Sequence, residues 1–369
     1  MTRAPGKKTK DQASPSSESS ANSDRPIAAV TGGSGFIGRA LVSRLEEAGY
    51  RVRVLTSKPV APRAADAAPA GVATGPELFQ ADLLQPDAAR LAEFLDGVSV
   101  LFHLAGAVSR EPDATRRLMA LHVEGTRHLF EAARTAGTER IVLMSTSGTV
   151  GVSAKPTPAT DASDYAIDPA LRWPYYESKI YQEKLAIAWS REHGKTLAVL
   201  RPSLALGPGD HDLSSTGDVL NFLERKIPGI PGGGLSFVDA RDIADAAVAA
   251  AQLDADILKT DGAPYRTYLL GAANMSFREY LALLQKLSGV SAPTIEVPPK
   301  LSVLGAKAWS KFAGEAGRRL MDLDPASAEM ANYYWYVDSS RAERELGFQP
   351  RPADATLRET IDWLRNRNR

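Results

Sequence analysis

Apolar and polar positions along this chain follow two rhythms. Ile27 to Val30 is a short apolar run that leads through Thr31 into four glycines, Gly32, Gly33, Gly35 and Gly38; Ile37, Leu41, Leu45 and Ala48 then recur at helical spacing. That order predicts strand, tight turn, helix. Further strands are predicted at Arg51 to Leu55, Leu78 to Gln80, Val98 to Leu104, Arg140 to Met144 and Thr196 to Leu200, with helices at Asp87 to Leu95, Ala114 to Ala136 and Tyr175 to Glu192. Strand and helix thus alternate about six times, which predicts an α/β fold built on a doubly wound parallel sheet.

From Ser203 the alternation decays. Gly207-Pro208-Gly209-Asp210 and Pro228 to Gly234 predict loops on either side of a helix at Thr216 to Arg225. A helix at Asp239 to Leu253 and a strand at Arg266 to Leu270 are expected to rejoin the sheet. Helices near Ser276 to Leu287, Leu301 to Leu320, Ser339 to Leu346 and Asp354 to Leu364 predict a smaller mixed C-terminal lobe over the strand ends.

The glycine turn has the spacing of a phosphate cradle. Gly32 and Gly33 allow backbone angles that a Cβ forbids, Gly35 lets the main chain approach a pyrophosphate, and Gly38 lets helix and strand pack closely. The helix behind them aims free N–H groups and its positive dipole end at the same place, so a dinucleotide is the expected ligand. Phe36, Ile37 and Arg39 would share in that contact. Ligands of such sheets lie beyond the carboxyl ends of the strands, which adds Asp82 and Leu83 near the adenine. The expected division is a disordered tail over 1–26, rich in Ser, Lys and Pro, a Rossmann dinucleotide-binding domain over 27–202 rejoined by about 237–272, and a substrate lobe from 203–236 and 273–369.

An NAD-preferring site usually has an acidic residue about 20 positions past the glycines, to hold the ribose 2′-hydroxyl. Thr56-Ser57-Lys58 stands there instead, with Arg39 near the turn. Two hydroxyls and two cations suit a 2′-phosphate, so NADP(H) is favoured and NAD(H) is the alternative.

Composition narrows the partners. Lys plus Arg and Asp plus Glu are 44 each, so no basic excess points to nucleic acid. The absence of cysteine removes disulfides, thiol nucleophiles and Cys-ligated metal, and fits a reducing, cytoplasmic setting. The longest apolar stretch, Ile243 to Leu253, is interrupted by Asp245 and falls short of the ~20 residues of a membrane span. Neither His103 nor His122 has metal-ligand company in the sequence, and no metal site is expected.

Tyr175 and Lys179 lie four apart at the start of a predicted helix and share one face. Lowering a phenol by three pKa units takes about 4 kcal/mol, and an ammonium at about 5 Å supplies roughly 3 kcal/mol at an effective dielectric near 20. Lys179 is therefore expected to bring Tyr175 most of the way to proton exchange near neutral pH.

Thr31-Gly-Gly-Ser-Gly-Phe-Ile-Gly38, His103-Leu-Ala-Gly106, Ser145-Thr-Ser147, Tyr175-x-x-x-Lys179 and Arg201-Pro202, in this order, resemble the extended short-chain dehydrogenase/reductase family, the NAD-dependent epimerase/dehydratase type. Ser147-Gly-Thr-Val150, Leu206-Gly-Pro-Gly-Asp210 and Phe237-Val-Asp-Ala-Arg-Asp242 are similar to its dihydroflavonol reductase and 3β-hydroxysteroid dehydrogenase branch. The resemblance implies that Tyr175 is the general acid/base and that Lys179 lowers its pKa and holds the nicotinamide ribose. It implies Ser147 as the hydroxyl on the reacting oxygen, with Thr146 and Ser145 as fallbacks. Ala105 and Gly106 would pass the ribose, and Pro202 and Ser203 the carboxamide. His122 stands where the family often has the Asn of a proton-relay water, and either relays or packs. A homodimer is also in keeping with the family.

The family's nucleotide-sugar epimerases usually have polar residues where this chain has Leu204 and Leu206. A site without them would leave sugar hydroxyls unpaired at about 1 to 3 kcal/mol each. The expected substrate is therefore a hydrophobic ketone or secondary alcohol, flavonoid-like, steroid-like or 3-oxoacyl-like, with Tyr333-Tyr-Trp335 and Trp309 as candidate walls. A nucleotide-sugar epimerase or dehydratase is the second reading, and a redox-sensing protein that binds cofactor without turnover the third. The segment Leu301 to Leu320 mixes Lys300, Lys307, Lys311, Arg318 and Arg319 with apolar residues, and reads either as a lipid-surface helix or as a solvated lobe helix.

Overall fold

The structure, a computed structural model, describes residues 25–59, 75–259, 262–312 and 324–367. Nearly all of the expected tail, most of the Pro59 to Gly75 connection, and Arg318, Arg319 and Leu320 lie outside the described residues.

In chain order the strands are β1 (Ile27–Thr31), β2 (Arg51–Thr56), β3 (Glu77–Gln80), β4 (Val98–His103), β5 (Arg140–Met144), β6 (Thr196–Pro202), β7 (Leu204–Leu206), β8 (Gly234–Asp239), β9 (Tyr265–Leu270) and β10 (Ala273–Ser276). Seven of them form one sheet, in the order β3-β2-β1-β4-β5-β6-β9, with every pair parallel. Ala28, Ala29, Val30, Val100, Leu101 and Phe102 are buried, as expected of strands covered on both faces.

Helices α1 (Phe36–Glu47) and α6 (Ala240–Gln252) cover one face; α2 (Ala88–Leu95), α3 (residues 115–135) and α4 (Pro174–His193) cover the other. Leu41, Val142 and Ile243 fill the first layer; Phe94, Phe130 and Trp189 fill the second. Pro174 opens α4 at a position whose N–H has no helical acceptor, and Gly194 ends it with φ 65°.

The strand order reverses between β1 and β4, where Thr31 pairs with His103. The crevice beyond this point is where such sheets bind ligands. Beside it sit α5 (Gly217–Leu223), α7 (Phe277–Ser288), α8 (Pro299–Phe312) and α9 (Pro325–Met330), while α10 (Ser340–Leu346) packs on β9 and α6, and α11 (Ala353–Asn366) packs on α7 and β8.

Three features differ from the sequence expectation. β7, β8 and β10 make a second, smaller sheet in which β7 runs parallel and β10 antiparallel to β8, where no strand was expected. α9 was not expected either. The single helix expected over Ala114 to Ala136 widens to a π turn at Ala120–Glu124. The extra residue in that turn places both His122 and Thr126 inside, each with no exposed surface.

Candidate active site

The turn between β1 and α1 is shaped by contacts that leave no room for side chains. Gly32 has φ +73°, and a Cβ on it would stand 2.7 Å from the Ala105 nitrogen. A Cβ on Gly38 would stand 2.1 Å from the Gly32 oxygen. Gly35 caps α1 without any side-chain hydrogen bond, so the first N–H groups of the helix are open to a ligand. These features fit a pyrophosphate, and the fit rests on this chain's own backbone.

The turn opens into a cavity of about 850 Å³. Gly32, Gly35, Phe36, Ile37, Gly38, Gly106, Ser147, Tyr175, Lys179, Pro202 and Ser203 line it, so the structure brings these expected residues together. Ser145 and Thr146 line it too. Gly33, Arg39, Thr56, Ser57, Lys58, Asp82, Leu83 and Ala105 are not among the lining residues. Gly33 packs on Val54, Ala105 donates its N–H to Thr31 Oγ1 at 3.1 Å, and Leu83 packs beside Gly125. Asp82 caps its own turn, accepting from Leu84 N–H at 2.9 Å. Arg39 donates to the carbonyls of Ser34 and Gly209.

Of the proposed aromatic walls, Trp335 lines the cavity, whereas Tyr333, Tyr334 and Trp309 do not. Trp335 lies on Tyr176 at 5.0 Å between ring centroids, and Tyr176 in turn lies where a Cβ on Gly148 would be. Leu204 faces the cavity, while Leu206 is fully buried among Phe237 and Leu357.

Lys179 is buried, and its ammonium donates to the Met144 carbonyl at 2.8 Å and to Gln182 Oε1 at 2.7 Å. Burial pulls its pKa down to about 8, with Glu183 opposing the fall. The phenol of Tyr175 stands above its ordinary value: burial raises it, Tyr176 adds to the rise, and the Thr146 hydroxyl opposes it. The expected lowering by Lys179 therefore does not appear. Burial of the phenol sets the direction, and the ammonium is held by Met144 and Gln182.

Behind the site runs a buried hydrogen-bonded chain that the sequence did not reveal. Thr126 Oγ1 donates to the His122 carbonyl, so it must accept from Gln182 Nε2 at 2.8 Å and from His103 Nε2 at 2.8 Å. His103 then carries its proton on Nε2, and Thr31 Oγ1 donates to its Nδ1 at 2.7 Å. Lys179 is thereby tied to the glycine turn through Gln182, Thr126, His103 and Thr31. His122 accepts from Ala107 N–H at 3.1 Å, which leaves its other nitrogen to donate to Ser178 Oγ at 2.8 Å. Ser178 donates to the Tyr175 carbonyl at 2.7 Å. With both nitrogens engaged, His122 acts here as an interior brace.

One signal of this chain was available: Gln182 and Glu183 follow Tyr175 and Lys179 at steps that keep them on the same helix face. Glu183 is fully buried and accepts from Arg201, Ser145, Thr149 and Tyr165.

The profile of the NAD dependent epimerase/dehydratase family matches residues 28–265. The chain belongs to this family. This chain falls in the dihydroflavonol reductase and 3β-hydroxysteroid dehydrogenase-like branch, whose homologues are NAD(P)-dependent oxidoreductases and dehydrogenases. A putative dihydroflavonol 4-reductase of Synechocystis sp. is 30% identical over 338 residues, 91% of this chain and 94% of that one. Sterol demethylase protein B of Methylococcus capsulatus is 27% identical over 344 residues, covering 92% and 98%. Among solved structures, gox2253 matches with a TM-score of 0.75 at 27% identity, over 94% of this chain and 99% of that one. The UDP-glucose 4-epimerase of Thermotoga maritima matches with a TM-score of 0.67 at 20% identity, over 93% and 100%, a likeness of fold.

Two measurements test this extended short-chain dehydrogenase/reductase site directly. Gly38→Ala forces a Cβ against the Gly32 carbonyl and should cost about 1 to 3 kcal/mol by overpacking. Fluorescence titration with NADPH and NADH should show both affinities greatly weakened; unchanged affinity would mean that the turn does not hold the dinucleotide.

The second concerns acid. Burial, helped by the charge of Lys179, pulls His103 down to about 3 and His122 to about 2. Both folded values lie below the unfolded value of about 6.5, so their contribution is complete above that pH and is lost as pH falls toward about 3. The buried carboxyl of Asp161, raised to about 6, gains stability over the same fall and offsets part of this, so urea unfolding should show about 1 to 2 kcal/mol less stability at pH 5.5 than at pH 6.5. A flat profile in that window would contradict neutral burial.

Proposed function

We propose that this protein is an NADP(H)-dependent oxidoreductase that moves hydride between a nicotinamide and a hydrophobic ketone or secondary alcohol. The observation that carries this reading is the wall of the cavity beyond Tyr175, where Leu204, Leu235, Leu281, Val297 and Trp335 face the space. Those five side chains offer a sugar no hydrogen bond, whereas the polar lining Asp212, Asp218, Asn221 and Lys226 comes from α5 and its flanks; Leu206, the other position where the family's epimerases are polar, is sealed in the core. The Synechocystis and Methylococcus relatives are named for flavonoid and sterol chemistry, which agrees in substrate class. For the cofactor, β2 ends at Thr56 and Ser57-Lys58 follow it without a carboxylate, and Arg39 lies in the first turn of α1. Those four residues favour a 2′-phosphate.

The roles are those that the family resemblance implies. The glycine turn and the N–H groups of α1 hold the pyrophosphate, with Asp82 and Leu83 toward the adenine. Ala105 and Gly106 pass the ribose, Lys179 holds its hydroxyls, and Pro202 and Ser203 flank the carboxamide. A nicotinamide bound there supplies the hydride. Tyr175 gives its proton to the carbonyl oxygen, while Ser147, with Thr146 beside it, stabilises the developing charge.

The test is a panel of flavonoid, steroid and 3-oxoacyl ketones followed by NADPH absorbance, with NADH and UDP-sugars alongside. Preferential NADPH oxidation with an apolar ketone is expected. Turnover of a UDP-sugar without any ketone activity would favour the epimerase, and cofactor binding without turnover the redox sensor.

A further inference from the structure

Helix α8 turns an apolar stripe to solvent. Leu301, Leu304, Ala308 and Phe312 follow one another at steps of three and four and are all exposed, the two leucines and Phe312 at 59%, 64% and 79%. At about 100° per residue they fall along one line of the helix. Ser302, Ala306 and Trp309 mark the inward face, about 120° away, with Ala306 buried at 1%. Lys300, Lys307 and Lys311 are exposed along a third line, about 80° from the stripe on its other side. None of the three lysines has an acidic partner among the described residues, whereas nearby Glu329 pairs with Arg172 and Glu296 with Arg278. The surface is thus apolar and positive, with its neighbouring carboxylates already engaged.

We propose that this stripe docks on the surface of an anionic lipid bilayer. Scattered surface leucines need no explanation, but a continuous apolar line beside a row of lysines is the arrangement of a helix lying in a membrane interface. Leu301 belongs to both the stripe and the cavity wall, and Ser302, Gly305 and Ala306 of the same helix also line the cavity. The docked face therefore leads directly into the substrate space. This part rests on the reading of that space as one for an apolar carbonyl compound, which would be concentrated in the lipid. The single sign of charge and the continuity with the cavity favour lipid over a protein partner.

The experiment is co-sedimentation of the full chain, without cofactor or ketone, with vesicles of phosphatidylcholine alone and of phosphatidylcholine mixed with phosphatidylglycerol. Binding to the mixed vesicles and little binding to the neutral ones is expected. Removing three charges with Lys300→Gln, Lys307→Gln and Lys311→Gln should weaken binding to the mixed vesicles about a hundredfold, at about fivefold per lysine. Leu304→Glu with Phe312→Glu should abolish it, with the thermal melt and the NADPH affinity of both variants unchanged. No binding by the wild type, or equal binding by the triple variant, overturns the proposal. So does a lipid-free dimer, seen by light scattering, that Leu304→Glu with Phe312→Glu dissociates, because the stripe would then belong to a second copy. A failed ketone panel leaves the vesicle result standing, and a failed vesicle assay leaves the ketone panel standing.

Discussion

Tyr175→Phe should lower kcat for carbonyl reduction by about a hundred- to ten-thousandfold, the range of a lost general acid, with KM and the affinity for NADPH nearly unchanged. The ring itself is well supported, edge-on to His122 at 6.0 Å and to Tyr176 at 5.1 Å, so phenylalanine keeps the packing and loses only the proton. Stopped assays of NADPH oxidation give kcat and KM, and fluorescence titration gives the affinity. Full activity in the variant would remove Tyr175 from the reaction. Loss of NADPH affinity together with activity would show that the ring shapes the dinucleotide site instead of acting on the substrate.

The parts of this site that were legible in the sequence are those forced by backbone geometry. Gly32 and Gly38 have no alternative residue, because any Cβ meets a main-chain atom. The apolar runs of β1, β4 and β5 likewise leave no choice of environment. β7 and β8 were missed because their pairing joins Leu204 to Phe237 across a long separation, and a three-residue strand carries no rhythm of its own. The π turn left a fainter trace. Leu118, His122, Thr126 and Phe130 are buried at strict steps of four, wider than an α-helix keeps on one line. Polar partners were the least legible: composition shows that Gln182 and Glu183 can bond, but only the fold shows to what.

Glu183→Ala should destabilise the protein by about 3 to 5 kcal/mol, because it strands a buried cation. Arg201 is 4% exposed; burial works against its charge, and pairing with Glu183 more than offsets this, holding its pKa above the ordinary value. Its Nη1 already lacks a partner among the described residues. The variant also leaves Ser145 and Tyr165 without the acceptor they now reach at 2.7 and 3.1 Å, while Thr149 keeps the Thr146 carbonyl at 2.9 Å. Ser145 and Thr149 bracket Thr146 and Ser147, so the carboxylate fixes the hydroxyl loop against Tyr175 as well as neutralising Arg201. Urea unfolding measures the first effect, and kcat at a temperature where the variant remains folded measures the second. The double variant Glu183→Met with Arg201→Met separates them: removing both charges should restore much of the stability, since a buried pair adds little over apolar residues of similar size. It should not restore kcat, because the loop still lacks its acceptor. A single variant as stable as the wild type would mean that Arg201 finds water or another partner when Glu183 is gone, and the pair would then be no more than a local contact.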